Sequence, residues 1–154
     1  MSPQRLQSQF FAEMADPHSF RVIFDHLPDV YFFVKDRQSR IIAVSSSILE
    51  RFGPKSEWDF IGTTDEQFFP PDVAADYVAA DRQVFKTRQP IIDRLEIWFD
   101  ENRKLDGCLT TKAPLRGRDG SIIGLMGVTR REQALTGRPL AREGIGRLRL
   151  RRPA

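Results

Sequence analysis

The chain has 154 residues, 40% of them apolar and 12 of them Phe, which suits a single domain core and includes no apolar run near the ~18–20 residues of a membrane span. One cysteine excludes an internal disulfide, and two histidines beside it make a structural zinc site a poor fit. The net charge of +3 hides two parts: eight Arg against two Glu follow from position 130 onward, so the preceding residues are mildly acidic and the basic character belongs to the tail.

The N-terminal stretch has acids and glutamines and no apolar core of a signal peptide, so a cytoplasmic protein is expected. Pro3 to Ala15 carries Leu6, Phe10 and Met14 at helical spacing with Phe11 beside them, which predicts a short amphipathic helix ending at Asp16-Pro17. A helical turn over Phe20–His26 follows. Val30–Asp36, "VYFFVKD", is rich in β-branched and aromatic residues and predicts a strand. "DRQSR" turns the chain into a second strand, Ile41–Ser45. "SSSILERFG" predicts a short helix with a serine cap and Gly53 as its end. Two short turns lead to the clearest helix, which starts at Pro71-Asp72 and stops before Pro90. Its apolar stripe is Val73, Tyr77, Ala80 and Val84. Three strands follow: Ile91–Phe99, Leu109–Leu115 and Ile122–Thr129, the last two joined by an Asp119-Gly120 turn. A hairpin, a helix cluster and a three-strand meander make an α+β domain: one antiparallel sheet with helices over one face. The other face also carries apolar residues, and the N-terminal helix or a second copy of the chain is its expected cover.

The order and phrasing of "LPDVYFFVKDRQSRIIAVS", "IGTTDEQFFPPDVAADYVAADRQVFKTRQP" and "LTTKAPLRGRDGSIIGLMGVTR" resemble the PAS sensory domain of bacterial signalling proteins. The resemblance implies a five-stranded antiparallel sheet of order 2-1-5-4-3 with short helices on one face. It implies a regulatory sensor or dimerisation module, seldom an enzyme, working with a kinase, cyclase or DNA-binding output module elsewhere in the full-length protein or pathway. Ser45 stands where many members have Asn, and Arg131-Glu132-Gln133 where members often have Asp-Ile-Thr. The expected division is a cap helix over 1–19, a PAS-like domain over 20–131 and a flexible basic tail or connector over 132–154.

Candidate sites follow from the strand pattern. Phe32 and Val34 are expected to point inward, joined by Ile42 and Val44 across the hairpin and by Ile48, Leu95, Ile97, Thr111 and Met126. A filled core is the default among such bulky side chains; a small-molecule cavity needs a hole among them, with Thr111 as its polar handle. Leu6, Phe10, Phe11 and Met14 are the expected homodimer surface. The resemblance argues against two cofactors. Covalent flavin is disfavoured because Cys108 starts a strand and not a helix, and histidine-ligated haem because the long helix has no histidine. Glu96 and Lys112 on adjacent strands are expected to form an exposed pair of small energetic weight. Asp25, Asp29, Asp65 and Glu66 sit where acids cap helices. No phosphate loop or metal-ligand spacing is present. A small cavity enzyme built on an Asp/His pair is disfavoured, since His18 and His26 precede the first strand. The basic tail lacks interleaved aromatics and a helix-turn-helix pattern, which argues against nucleic-acid contact.

Overall fold

The computed structural model of the chain describes residues 2–16, 18–53, 56–99 and 105–131. The basic tail over 132–154, with its expected flexibility, lies outside the described residues. The elements run α1 (Pro3–Ala12), a 3₁₀ segment (Ser19–His26), β1 (Val30–Asp36), β2 (Ile41–Val44) and α2 (Ser46–Phe52). Two 3₁₀ turns (Glu57–Asp59 and Asp65–Gln67), α3 (Pro71–Thr87), β3 (Ile91–Phe99), β4 (Leu105–Arg116) and β5 (Ile122–Arg131) complete them. The strands form one antiparallel sheet of order β2-β1-β5-β4-β3, the topology the resemblance implies. β4 starts four residues before the alternating stretch of the sequence, because Leu105–Cys108 pair with Glu96–Phe99 despite their broken apolar pattern.

Local chemistry fixes the connections. Ser2 caps α1 by accepting from Arg5 N. Gly120 adopts φ +80° at the β4–β5 turn, a conformation that suits glycine. The β2 edge is closed by the segment after α2. Ile41 N donates to Thr63 O, Gly62 N to Ile41 O, and Val44 N to the Glu57 carboxylate, each at 2.8–3.0 Å. Glu57 is itself held by Arg21 of the first 3₁₀ segment. A free edge row is thereby covered.

α2, the two 3₁₀ turns and α3 pack on one face of the sheet, termed inner here. The α3 residues that meet it are Ala74, Tyr77, Ala80, Asp81 and Val84, all buried. Four of these are apolar or aromatic; Asp81 is fully buried in the same stripe, four residues after Tyr77. Phe52, Phe60, Phe68, Phe69 and Tyr77 stack edge-on and face-on with centroid separations of 4.5–6.2 Å, and so close the space between helices and sheet. On the outer face Phe24 stacks on Phe32 at 4.5 Å, which seats the first 3₁₀ segment there. α1 has no buried residue, and Phe11 meets Phe20 at 6.0 Å.

The register assigns the faces. Tyr31, Phe33 and Lys35 lie opposite Thr129, Gly127 and Leu125 of β5, which lie opposite Thr110, Lys112 and Pro114 of β4. These point inward. Phe32, Val34, Met126, Thr111, Leu95 and Ile97 therefore point outward, and Ile42, beside the register shift in the β1–β2 pair, is 41% exposed. The sequence expectation for these seven is thus reversed. A period of two divides residues between faces but does not say which face is covered, and here the outer one is the more apolar. Val44 and Ile48 do lie inside, in the core cluster with Tyr31, Ile41 and Phe60.

Candidate functional site

The inner face carries an unusual load. Lys35 is 4% exposed and Lys112 2%, and each ends among carboxylates. Lys35 Nζ contacts Asp65 Oδ2 and lies 3.1 Å from Asp81 Oδ2. Lys112 Nζ donates to Asp81 Oδ1 at 2.7 Å and to the Tyr77 carbonyl at 3.3 Å, and lies 3.8 Å from Glu96 Oε1. Asp81 is thus shared by both lysines, one on each oxygen. The chain Asp65–Lys35–Asp81–Lys112–Glu96 ties the second 3₁₀ turn, β1, α3, β4 and β3 together through alternating charge. Burial alone would lower the Lys35 pKa, but attraction and hydrogen bonds from Asp65 and Asp81 outweigh it and hold it above the ordinary lysine value.

The expected exposed Glu96–Lys112 pair is therefore a buried one, because both residues lie on the inner face under α3. Asp65, expected as a cap, is 6% exposed and serves Lys35. Ser45, at the Asn-like position, accepts from Phe32 N at 3.0 Å and meets Ser47 Oγ at 2.7 Å, so it pins α2 to β1. Asp25 caps the same helix through Ser46 N.

Beneath the aromatic cluster a cavity of about 70 Å³ remains, several times the ~10–15 Å³ that one buried water requires. Its walls are the rings of Tyr31, Phe33, Phe52, Phe60, Phe68, Phe69 and Tyr77, with Ile41, Ile48 and Cys108. Its polar groups are Lys35, Asp65, Glu96, Lys112 and Thr129. The floor depends on Gly127. A Cβ there would stand 2.4 Å from the Phe33 ring and 3.0 Å from Thr111 O, so the absence of a side chain lets the ring lie across β5. Both lysines flank that ring, at 5.5 Å and 6.0 Å from its centre.

Of the nine residues expected to line a ligand site, Ile48 lines the cavity and Val44 lies in the adjoining core. Phe32, Val34, Ile42, Leu95, Ile97, Thr111 and Met126 are not brought to it. Thr111, the expected polar handle, faces outward and accepts from Asp93 N at 3.1 Å. The signal that was missed is the charged residue in an apolar phrase: Lys35 two places after Phe33, Lys112 inside "TTKAPL", and Asp81 inside the α3 stripe. Of the residues expected at a homodimer surface, Leu6, Phe10 and Phe11 on α1 are exposed and Met14 is half-buried. His18 and His26 lie on exposed positions before β1. Among the described residues no group of three or more His, Cys, Asp or Glu is placed to hold a metal ion.

Cys108 is 1% exposed and its thiol donates to the Glu96 carbonyl at 3.4 Å. Burial, then the nearby Glu96 charge, pushes its pKa up to about 12. Burial, then Glu96, likewise raises Tyr77, whose hydroxyl donates to Ile97 O at 3.3 Å.

Replacing Asp81 with Ala leaves two buried ammonium groups sharing no carboxylate, and is expected to destabilise the domain by about 3–5 kcal/mol in urea titration. A loss under about 1 kcal/mol would mean that the lysines are not held charged through Asp81. The folded Cys108 thiol remains protonated at pH 8–9, where an unfolded cysteine of pKa about 8.5 is substantially ionised. Its modification by a disulfide reagent at pH 8 is therefore expected to follow the unfolding rate, and fast labelling of folded protein would contradict the burial.

Residues 24–136 match the PAS fold family. A diguanylate cyclase of Vibrio cholerae is 33% identical over 101 residues, 65% of this chain, and the chain spans only 31% of that relative. VqmA of Vibrio cholerae, solved in complex with ligand and DNA, is 28% identical with a TM-score of 0.62, over 71% of this chain and 48% of VqmA. A second structure, of the VqmA dimer without target DNA, is 27% identical with a TM-score of 0.63, over 74% of this chain and 52% of VqmA. Sheet order, helix placement and the match over most of its length agree: the chain belongs to the PAS fold family and is related to bacterial signalling proteins.

Proposed function

We propose that this domain is a cytoplasmic, non-catalytic sensor that binds a compact small molecule in its core and passes occupancy to an output module through a homodimer. The observation that carries the reading is the hollow at the centre of the inner face, walled by seven aromatic rings and floored by Phe33 over Gly127. Interiors pack to crystal-like density unless something else is to fill the gap. A hollow floored on a glycine and rimmed by charged groups is costly to keep for packing alone. At about 70 Å³ the space suits a molecule of one ring or smaller, well below the ~300–1,000 Å³ of drug-sized pockets. VqmA, described in complex with a ligand and DNA, supports a sensor reading, and the diguanylate cyclase supports a signalling context.

The outer face supports association. Ile42, Leu95, Ile97 and Met126 are each 38–41% exposed on it, and α1 offers Leu6 at 58% and Phe10 at 67%. A ten-residue helix is marginal on its own in water and gains stability by burying such side chains. A second copy of the chain supplies both a helix and a sheet face, and VqmA is described as a dimer.

Native mass spectrometry and thermal-shift screening against a metabolite panel test the sensor. A ligand at about 100 times its Kd is expected to stabilise by about 2.7 kcal/mol, and Ile48→Trp, which fills the cavity, is expected to remove that gain. Stabilisation that persists in Ile48→Trp would place the ligand elsewhere. Light scattering after size exclusion tests the dimer: Leu6→Glu with Phe10→Glu is expected to yield monomers. A strict monomer at high concentration, or a dimer indifferent to deletion of residues 1–19, would remove α1 from the interface.

A further inference from the structure

The β4–β5 turn and the last turn of α3 meet outside the core hollow, at the end of the sheet opposite Arg131. Arg88, which ends α3 in a left-handed conformation at φ 59°, donates from Nη2 to the Gly120 carbonyl at 3.1 Å. Arg116, the last residue of β4, donates from Nη1 to the same oxygen at 3.5 Å. Two guanidinium groups therefore stand within about 7 Å of each other on one uncharged acceptor. Arg118 follows within the turn and Lys86 stands in the last turn of α3, both exposed. Neither has a hydrogen bond or ion pair among the described residues.

Acids do not offset this charge. Asp119 is the only Asp or Glu in residues 82–90 and 116–123. Its Oδ1 accepts from Ser121 N at 3.0 Å and from Ser121 Oγ at 2.7 Å, so it closes its own turn. Asp36, beside Gly124 on the neighbouring strand, is held by Arg40 Nε at 2.7 Å and by the backbone N–H groups of Gln38 and Arg40. The negative end of the α3 dipole amounts to about half a charge against four cations. The residues before position 130 are acidic on balance, so these cations collect against the average.

A guanidinium has five N–H donors in a fixed fork, and Arg88 and Arg116 each direct one nitrogen to Gly120. Their other donors have no acceptor among the described residues. Two such forks side by side match an oxyanion, and the terminal oxygens of a phosphate accept more of these bonds than the two oxygens of a carboxylate. We propose that Arg88, Arg116 and Arg118 form an oxyanion site that takes a phosphate group in preference to a carboxylate. The site is separate from the core hollow and stands whether or not the hollow binds a ligand. Arg88 ties it to α3 and Arg116 to β4, so a bound phosphate bridges the helix layer and the sheet.

Phosphate free in solution and phosphate on a nucleotide share this chemistry. NMR of the arginine Nε–H groups in the full chain tests the site, with sodium phosphate, adenosine monophosphate or acetate added at matched ionic strength against chloride. Phosphate is expected to shift the Arg88 and Arg116 signals saturably and to bind about tenfold more tightly than acetate. Arg116→Gln is expected to weaken phosphate about fivefold, while Arg5→Gln on α1 leaves it unchanged. Both positions are exposed, so neither substitution threatens the fold. Equal affinity for phosphate and the nucleotide assigns the free anion; tighter nucleotide binding assigns the nucleotide. Shifts that never saturate, that chloride reproduces, or that keep full affinity in Arg116→Gln would be screening of surface charge and overturn the site. Acetate binding as tight as phosphate overturns the preference.

Discussion

A single carboxylate, Asp81, holds this domain in its form. It is fully buried on α3 and bonded to Lys112 on one oxygen and Lys35 on the other. Two ammonium groups cannot stay charged in an apolar interior without such partners, since each costs several kcal/mol to desolvate. The helix that carries Asp81 must therefore lie where both lysines reach it. Lys35 is on β1 and Lys112 on β4, two strands apart across β5, so the carboxylate fixes α3 over the centre of the sheet. Apolar contact alone would let a helix slide; paired charge in a low dielectric narrows the choice of position.

The cavity follows from the same arrangement. Long charged side chains on the inner face keep the helix layer from collapsing onto the strands, and the aromatic rings from α2, the 3₁₀ turns and α3 roof the space left over. The floor is Phe33, lying over Gly127 because any side chain there would meet the ring. The polar groups that hold the fold are thus also those that face the hollow, and a molecule bound there would touch the ion chain and with it β1, β3, β4 and α3 together.

Much of the architecture was legible in the residues. β1 and β3 have the expected limits, β2 and β5 lie within two residues of them, and α3 buries Tyr77, Ala80 and Val84 of the predicted stripe, with Ala74 in place of Val73, because strand alternation, turn residues and helix spacing are local properties. The inward face was not legible. Phe32, Val34, Leu95, Ile97 and Met126 form the more apolar set, and the rule that apolar residues go inside points to them. The residues that do point in include Lys35, Glu96, Thr110, Lys112 and Thr129, whose burial is tolerable only because partners from other elements reach them.

The order and type of the elements were determined by the sequence, since each element rests on contacts between near neighbours in the chain; the strand order was implied by the family resemblance alone, because the β1–β5 pairing joins residues as distant as Val30 and Arg130. Tertiary structure alone decided which sheet face is the core, that Glu96 and Lys112 are buried, and that a hollow exists. Asp65, Asp81 and Glu96 stand far from Lys35 or Lys112 along the chain, and no local pattern records a charge pair that forms only when α3 closes over the sheet.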